Sequence, residues 1–181
     1  MGIRSRYGIS VKVSLIAMFS VLAFLAALFV RITVSYGAIA YAIVILIGAL
    51  VLREPYSATI IAFISGLLYS LQSTLFLLIL GAFITRGLVI DLLFLVLGVY
   101  KDSEEGRYKV APITITMVLS SFAAGLYQYL FITLFLGKLV NFGTFIVSTI
   151  FIVALISNAI AGFIVSKYVM PRIRAFTWVS S

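Results

Sequence analysis

The sequence predicts an all-α integral membrane protein, a single domain of residues 1–181 built as a bundle of six transmembrane helices with both termini in the cytoplasm. Three observations support this class. Of the 181 residues, 64% are apolar and 10% are charged, whereas soluble domains carry about 45–50% apolar and about 25% charged residues. The apolar residues gather into six runs. Most basic residues stand outside these runs, in the connections and at the two termini, where positive charge orients membrane helices.

The predicted spans follow one another with short connections. They cover residues 13–30, 38–52, 57–71, 82–100, 111–136 and 145–169. A helix needs about 20 residues to cross a bilayer, so the second and third spans are short. Residues 72–81 are also apolar, but a single helix over 75–100 would be too long. We therefore expect 72–81 to form a loop in the outer mouth of the bundle, where surrounding protein or water tolerates irregular backbone.

The basic residues set the predicted orientation. With the N-terminus in the cytoplasm, Arg31, Arg86 and Lys138 fall on the outer side, and the other ten of the 13 basic residues fall inside. Such an excess is typical of cytoplasmic loops. An odd number of spans would separate the charged loop at 101–109 from the basic C-terminus. We therefore expect six spans in a multi-pass protein of the plasma membrane.

The composition excludes several functions. Cysteine and histidine are both absent, which removes disulfides, Cys/His metal sites and a histidine general base. Only five acidic residues are present, too few for chemistry that needs paired carboxylates. We expect no enzyme activity, no metal and no cofactor. The net charge of +8 does not indicate nucleic-acid binding, because the basic residues stand singly at the ends of apolar runs.

One acidic residue is predicted to lie inside the membrane. Asp91 falls in the outer half of the fourth span, where a charge costs at least ~2.5–3.5 kcal/mol and needs a partner or a function. Two interpretations are open. Asp91 closes a binding pocket from below, with Gly87 leaving open space one turn above it. Alternatively, Asp91 forms a structural pair with Arg31, Arg86 or Lys138, although Arg86 points about 140° away around the same helix.

Other polar side chains fall at a similar depth. With Asp91, Arg86 and Gly87, they make up the predicted substrate site: Tyr69, Gln72, Tyr127, Gln128 and Asn158. Tyr127 and Gln128 point about 100° apart, so at most one of them faces a given cavity. The tyrosines also fit an interfacial belt. The amides also fit contacts that join two helices.

A face of small residues runs along the first span. Ser20, Ala23 and Ala27 recur at helical spacing, and small residues let another helix approach closely. This face fits internal packing within the bundle. It equally fits a docking face for another membrane subunit.

Two segments resemble the substrate-binding S components of energy-coupling factor (ECF) vitamin transporters. The segment Leu52-Arg53-Glu54-Pro55, leading into residues 57–71, is similar to the cytoplasmic turn and third helix of the thiamine-type S components. Residues 84–94 resemble their fourth helix, in which a glycine precedes an acidic residue. By position, Ala23 and Ala27 match the alanine docking motif of this family, and Asp91 matches its acidic pocket residue.

The resemblance implies a receptor that cannot drive transport alone. It would capture a vitamin or precursor, thiamine-like, in an outward-facing pocket. It would then associate with the ECF transmembrane coupling subunit and two ATPase subunits. The absence of a Gly-Lys-Ser/Thr phosphate loop in this chain agrees with such a role. Asp91 suits an aminopyrimidine or a cation, whereas the outer basic residues suit an anionic group.

Three other functions compete with this expectation. A stand-alone secondary transporter or channel for a small solute is the main alternative, although such folds commonly contain internal repeats, which we do not find here. A membrane enzyme would have to use the acidic residues of the 101–109 loop, which has the composition of a solvated segment. A purely structural membrane subunit would bind no small molecule.

Overall fold

A computed structural model describes residues 8–32, 38–138 and 141–178. Within these ranges the chain is helical and contains no strand. The helices are α1 (Ile9–Ile32), α2 (Ala38–Leu52), α3 (Ser57–Ser70), α4 (Phe76–Val96), α5 (Val99–Glu104), α6 (Val110–Leu134), α7 (Phe142–Ile146), α8 (Thr149–Ile164) and α9 (Met170–Trp178). A π-helical turn, Val165–Val169, joins α8 to α9.

Four stretches in the described part of the chain are long and apolar enough to cross a membrane. They are Ile9–Phe29, Phe76–Val96, Val110–Leu134 and Thr149–Arg174. α2 and α3 are apolar but shorter, at 15 and 14 residues. The all-helical architecture therefore fits a membrane helical bundle. The count of six spans and the orientation of the termini stay predictions.

The start of α4 corrects the expected loop at residues 72–81. The helix begins at Phe76, so most of the apolar stretch is helical. It ends at Val96 because the chain leaves the helix near Gly98, whose φ of 68° lies in the left-handed region that glycine tolerates. These bounds give α4 21 residues, the length that a membrane helix needs. Asp91 consequently lies near the C-terminal end of α4.

The last predicted span is divided. Asn141 caps the short α7, with its side-chain oxygen 2.8 Å from the backbone nitrogen of Gly143. Ser148 caps α8 by accepting a hydrogen bond from the backbone nitrogen of Phe151. Side-chain oxygens at these positions satisfy N–H groups that have no partner inside the helix. The membrane-length segment therefore begins at α8 rather than at residue 145.

Five helices pack in a closed ring in the order α2, α3, α4, α6 and α8, and α1 packs across α2 and α3. Small and branched residues fill the centre of the bundle, among them Ala42, Ile45 and Ala49, all with no exposed surface. Large apolar side chains such as Leu77 and Leu92 point outward and are more than half exposed. An apolar outer surface is what contact with lipid requires.

The described charges concentrate at one end of the bundle. Lys12 of α1 pairs with Glu54 of the α2–α3 turn at 2.6 Å. Arg53 donates to the Tyr108 hydroxyl at 3.0 Å, and Arg174 donates to the Gly106 carbonyl at 2.7 Å. We call this the charged end. The opposite end is formed by the last turns of α3 and α6 and the first turns of α2, α4 and α8.

The absence of cysteine makes the predicted orientation directly testable. We expect Lys138→Cys to react with a membrane-impermeant maleimide on intact cells, and Glu104→Cys to react only after the cells are opened. The two positions flank α6, so the reagent should reach them from opposite sides. The parent chain, which has no cysteine, is the control. Labelling of both positions from the same side would contradict a crossing by α6.

Candidate ligand site

A cavity lies towards the end of the bundle opposite the charged end. Its volume is about 310 Å³, at the lower limit of the roughly 300–1,000 Å³ that small-molecule sites occupy. It is partly open to the surface, with the exposed Gln128 at its rim. α1, α2, α3, α4 and α6 all contribute to its lining, which comprises Ala27, Ala38, Tyr41, Tyr69, Ile79, Ala82, Phe83, Arg86, Ala124 and Gln128.

Aromatic rings form one wall of the cavity. The centroid of the Phe83 ring lies 5.0 Å from that of Tyr41 and 5.7 Å from that of Tyr69. Tyr69 and Phe83 are stacked, with an interplanar angle of 22°. Alanines at positions 82 and 124 leave space in front of these rings. The wall therefore presents aromatic, largely apolar surface to the cavity.

Arg86 brings a positive charge to the cavity. Its guanidinium carbon lies 4.9 Å from the centre of the Tyr41 ring, a distance at which the ring face attracts a cation. The guanidinium also donates a hydrogen bond to the side-chain oxygen of Asn158. Asn158 is buried in α8, and its amide nitrogen donates to Ser121 Oγ at 3.1 Å and to the Ala154 carbonyl at 2.7 Å. A polar network across α4, α6 and α8 thus holds Arg86 in place.

No side-chain carboxylate of the chain pairs with Arg86. All five acidic residues lie in the described part of the sequence. Glu54 pairs with Lys12, and Asp102 pairs with Lys109 at 2.9 Å. Glu105 pairs with Arg107. Glu104 is exposed on α5, beside Asp102 at the charged end. Asp91, the acid nearest in sequence, contacts other groups.

The Asp91 carboxylate holds the N-terminus of α3. It accepts hydrogen bonds from the backbone nitrogens of Ala58 at 3.2 Å and Thr59 at 2.7 Å, and from Thr59 Oγ1 at 2.6 Å. The Tyr100 hydroxyl also donates to it. The first N–H groups of a helix lack partners inside the helix and lie at the positive end of its dipole, so a carboxylate there is stabilising.

The predicted pocket beneath Gly87 is wrong. A Cβ at Gly87 would lie 2.7 Å from the Cα of Thr59, because α3 and α4 pack backbone against backbone at this point. Asp91 is 2% exposed and does not line the cavity. The alternative of a structural ion pair with Asp91 is not formed by Arg86 or Lys138, and the side chain of Arg31 lies outside the described residues. Asp91 is directed to α3, while Arg86 is directed to α8.

The other predicted site residues divide into two groups. Tyr69 and Gln128 line the cavity, and Asn158 lies behind Arg86. Tyr127 instead donates to the Leu77 carbonyl at 3.1 Å and joins α6 to the first turn of α4. Gln72 is exposed in the α3–α4 turn.

Sequence reasoning missed two aromatic residues of the cavity, Tyr41 and Phe83. Their chemistry gives little signal in an apolar chain, since aromatic residues at these positions equally suit an interfacial belt or ordinary packing. Phe83 lies three residues before Arg86 on α4, whereas the proximity of Tyr41 to Arg86 depends on how α2 packs near α4.

The small-residue face of α1 is internal. Ser20 and Ala23 have no exposed surface, and Ala27 is 4% exposed and lines the cavity. These residues let α1 approach α2 and α3 closely. The expectation that this face docks another subunit is therefore wrong for this arrangement, because a partner cannot reach it without opening the bundle.

Fold and cavity together define a class: a membrane helical bundle with a cavity of small-molecule size beside a cation that no side-chain carboxylate of the chain compensates. Comparison with protein-family profiles, curated proteins and solved structures finds no match. The resemblance to S components therefore stays a prediction from the sequence segments at residues 52–71 and 84–94.

We expect Asp91→Ala to lower the free energy of unfolding by about 2–3 kcal/mol, because it leaves buried donors on α3 without an acceptor. Asp91→Asn should lose less, since its side-chain oxygen still accepts from one donor. Denaturation in mixed detergent micelles measures both. Glu104→Ala, which removes an exposed acid, is the control and should change little. If Asp91→Ala has unchanged stability but loses solute binding, then Asp91 acts in ligand binding rather than in holding α3.

Proposed function

We propose that the chain is a membrane-embedded substrate-binding subunit of an ECF-type importer, which captures a small vitamin or precursor in the cavity. The observation that carries the proposal is a cavity of about 310 Å³ lined by aromatic rings and by Arg86, whose charge no carboxylate of the chain compensates. A solute that contacts the aromatic rings and Arg86 would gain favourable interactions in this cavity.

The lining supports binding rather than chemical conversion. Aromatic faces, one amide and one arginine orient a ligand and supply hydrogen bonds. Catalysis by a general base or a nucleophile requires a neighbouring group that activates it. The described residues that line the cavity include no carboxylate, histidine or cysteine. We therefore propose a receptor that releases its solute unchanged.

The ECF assignment adds partners to this receptor. The chain has no nucleotide-binding loop of its own. We propose that a transmembrane coupling subunit and two ATPase subunits supply the energy for import. The resemblance of residues 52–55 and 84–94 to S components supports this arrangement, and the internal position of Ala23 and Ala27 means that another surface would contact the coupling subunit.

The aromatic wall suits a flat ring, which agrees with the pyrimidine of a thiamine-like vitamin or its hydroxymethylpyrimidine precursor. The thiamine expectation also depended on Asp91 as a partner for an amino group or a cation. Because Asp91 holds α3 instead, thiamine would place its positive charge in a cavity that already contains Arg86. The proposal therefore keeps a flat vitamin precursor as the ligand class and does not require a cation.

Filling the cavity tests the proposal. We expect the purified protein to retain one small solute, detectable by native mass spectrometry, and Ala124→Phe to lose it because the added ring occupies the cavity. Leu130→Phe, at an exposed position on the same helix, is the control and should retain the solute. Equal retention by Ala124→Phe and the parent chain would contradict binding in this cavity.

An assay in lipid vesicles distinguishes a receptor from a stand-alone secondary transporter. We expect vesicles that contain this chain alone to bind the retained solute without accumulating it. Accumulation driven by an ion gradient, in the absence of any ATPase, would instead favour a stand-alone secondary transporter.

A further inference from the structure

We propose that the cavity selects solutes that carry a negatively charged group, a carboxylate or a phosphate, which pairs with Arg86. This inference rests on the proposed function, since it names the chemical class of the solute that the cavity receives. The complementary surface for the rest of the solute is the aromatic wall of Tyr41, Tyr69 and Phe83.

The first argument is the charge balance of the bundle interior. A charge within a membrane protein is stable when it is paired or faces a cavity. The Tyr41 ring and the Asn158 oxygen each compensate part of the charge on Arg86, but both are neutral. The acids of the chain are engaged elsewhere or lie at the charged end. A bound anion therefore supplies the missing opposite charge.

The second argument is the set of open donors. A guanidinium carries five N–H donors, and within the described residues the acceptor it contacts is Asn158 Oδ1. Its Nε is buried and has no acceptor in the part of the chain that the structure describes. An oxyanion takes two parallel hydrogen bonds from an arginine, a geometry that a neutral carbonyl or an amine does not reproduce.

The third argument is that Arg86 is positioned before any ligand arrives. The Asn158 amide nitrogen is held by Ser121 and Ala154, which directs its oxygen towards Arg86. The Tyr41 ring supports the guanidinium from one side. A cation fixed in this way loses little conformational freedom on binding, which favours affinity for an anion.

The shape of the cavity limits the solute further. A volume of about 310 Å³ suits one ring with its substituents. A free metabolite acid, a phosphate ester or the headgroup of an anionic lipid would all present the same oxyanion to Arg86. These sources share one chemistry, and the experiment distinguishes them.

Matched aromatic probes test the charge preference. Benzoate and phenyl phosphate are anions, benzamide is a neutral molecule of similar shape to benzoate, and thiamine is a cation. Dissociation constants are measured by calorimetry on the delipidated protein in detergent at constant ionic strength. Dihexanoyl phosphatidylglycerol, compared with the phosphatidylcholine of the same chain length, tests a lipid headgroup as the source of the anion.

We expect the dissociation constant of benzoate or phenyl phosphate to be about tenfold or more lower than that of benzamide. Thiamine should bind most weakly. Arg86→Gln should abolish the difference between benzoate and benzamide. Gln128→Glu places a carboxylate at the exposed rim without altering the contact between Arg86 and Asn158, so it should weaken anion binding even if Arg86→Gln does not fold. Lys101→Gln, which removes one positive charge at the charged end, should keep the parent preference.

Each outcome decides the inference. An anion preference that depends on Arg86 supports it, and a preference confined to dihexanoyl phosphatidylglycerol assigns the anion to a lipid. Equal binding of benzoate and benzamide, tighter binding of thiamine, or an unchanged preference in both Arg86→Gln and Gln128→Glu would overturn it. Retention of a neutral solute that Ala124→Phe loses would leave the receptor proposal intact while removing the anion selectivity.

Discussion

The contact between the Asp91 carboxylate and the N-terminus of α3 joins two helices of the bundle and engages the one acidic side chain of α4. It satisfies the first amides of α3 and joins that helix to α4, with Tyr100 as a further donor from α5. Gly87, one turn earlier on α4, lets the two backbones come close enough for the contact to form. One consequence is that the only acid within α4 is unavailable to the cavity.

Composition and charge distribution were sufficient to predict a helical membrane protein, because they depend on hydrophobic runs whose length is set by the bilayer. The boundaries of α2 agree with the predicted run. The predicted start of the fourth span, at residue 82, was wrong by six residues, because α4 begins at Phe76. The apolar composition of residues 76–81 does not distinguish a loop from a helix. Composition therefore does not place the first residue of this helix, whereas Gly98 marks its end.

The lining of the cavity was predicted only in part, and the reason is geometric. Arg86, Tyr69 and Gln128 were recognised because polar groups are rare in such a chain. The role of Asp91 was not recognised, because the sequence does not show which helix places its free N-terminal amides beside this carboxylate. The small face of Ser20, Ala23 and Ala27 left two interpretations open, and the close packing of α1 on its neighbours decides between them.

The separation of Asp91 from Arg86 is a property of helical periodicity. Five residues turn a helix by about 140°, so the two side chains leave α4 towards different neighbours, one towards α3 and the other towards α2 and α8. A spacing of four would have placed them on one face, where they would neutralise each other and leave the cavity without charge. The observed spacing instead assigns the carboxylate to the fold and leaves the guanidinium beside an open cavity. In our proposal, this guanidinium pairs with an occupant that is not part of the chain.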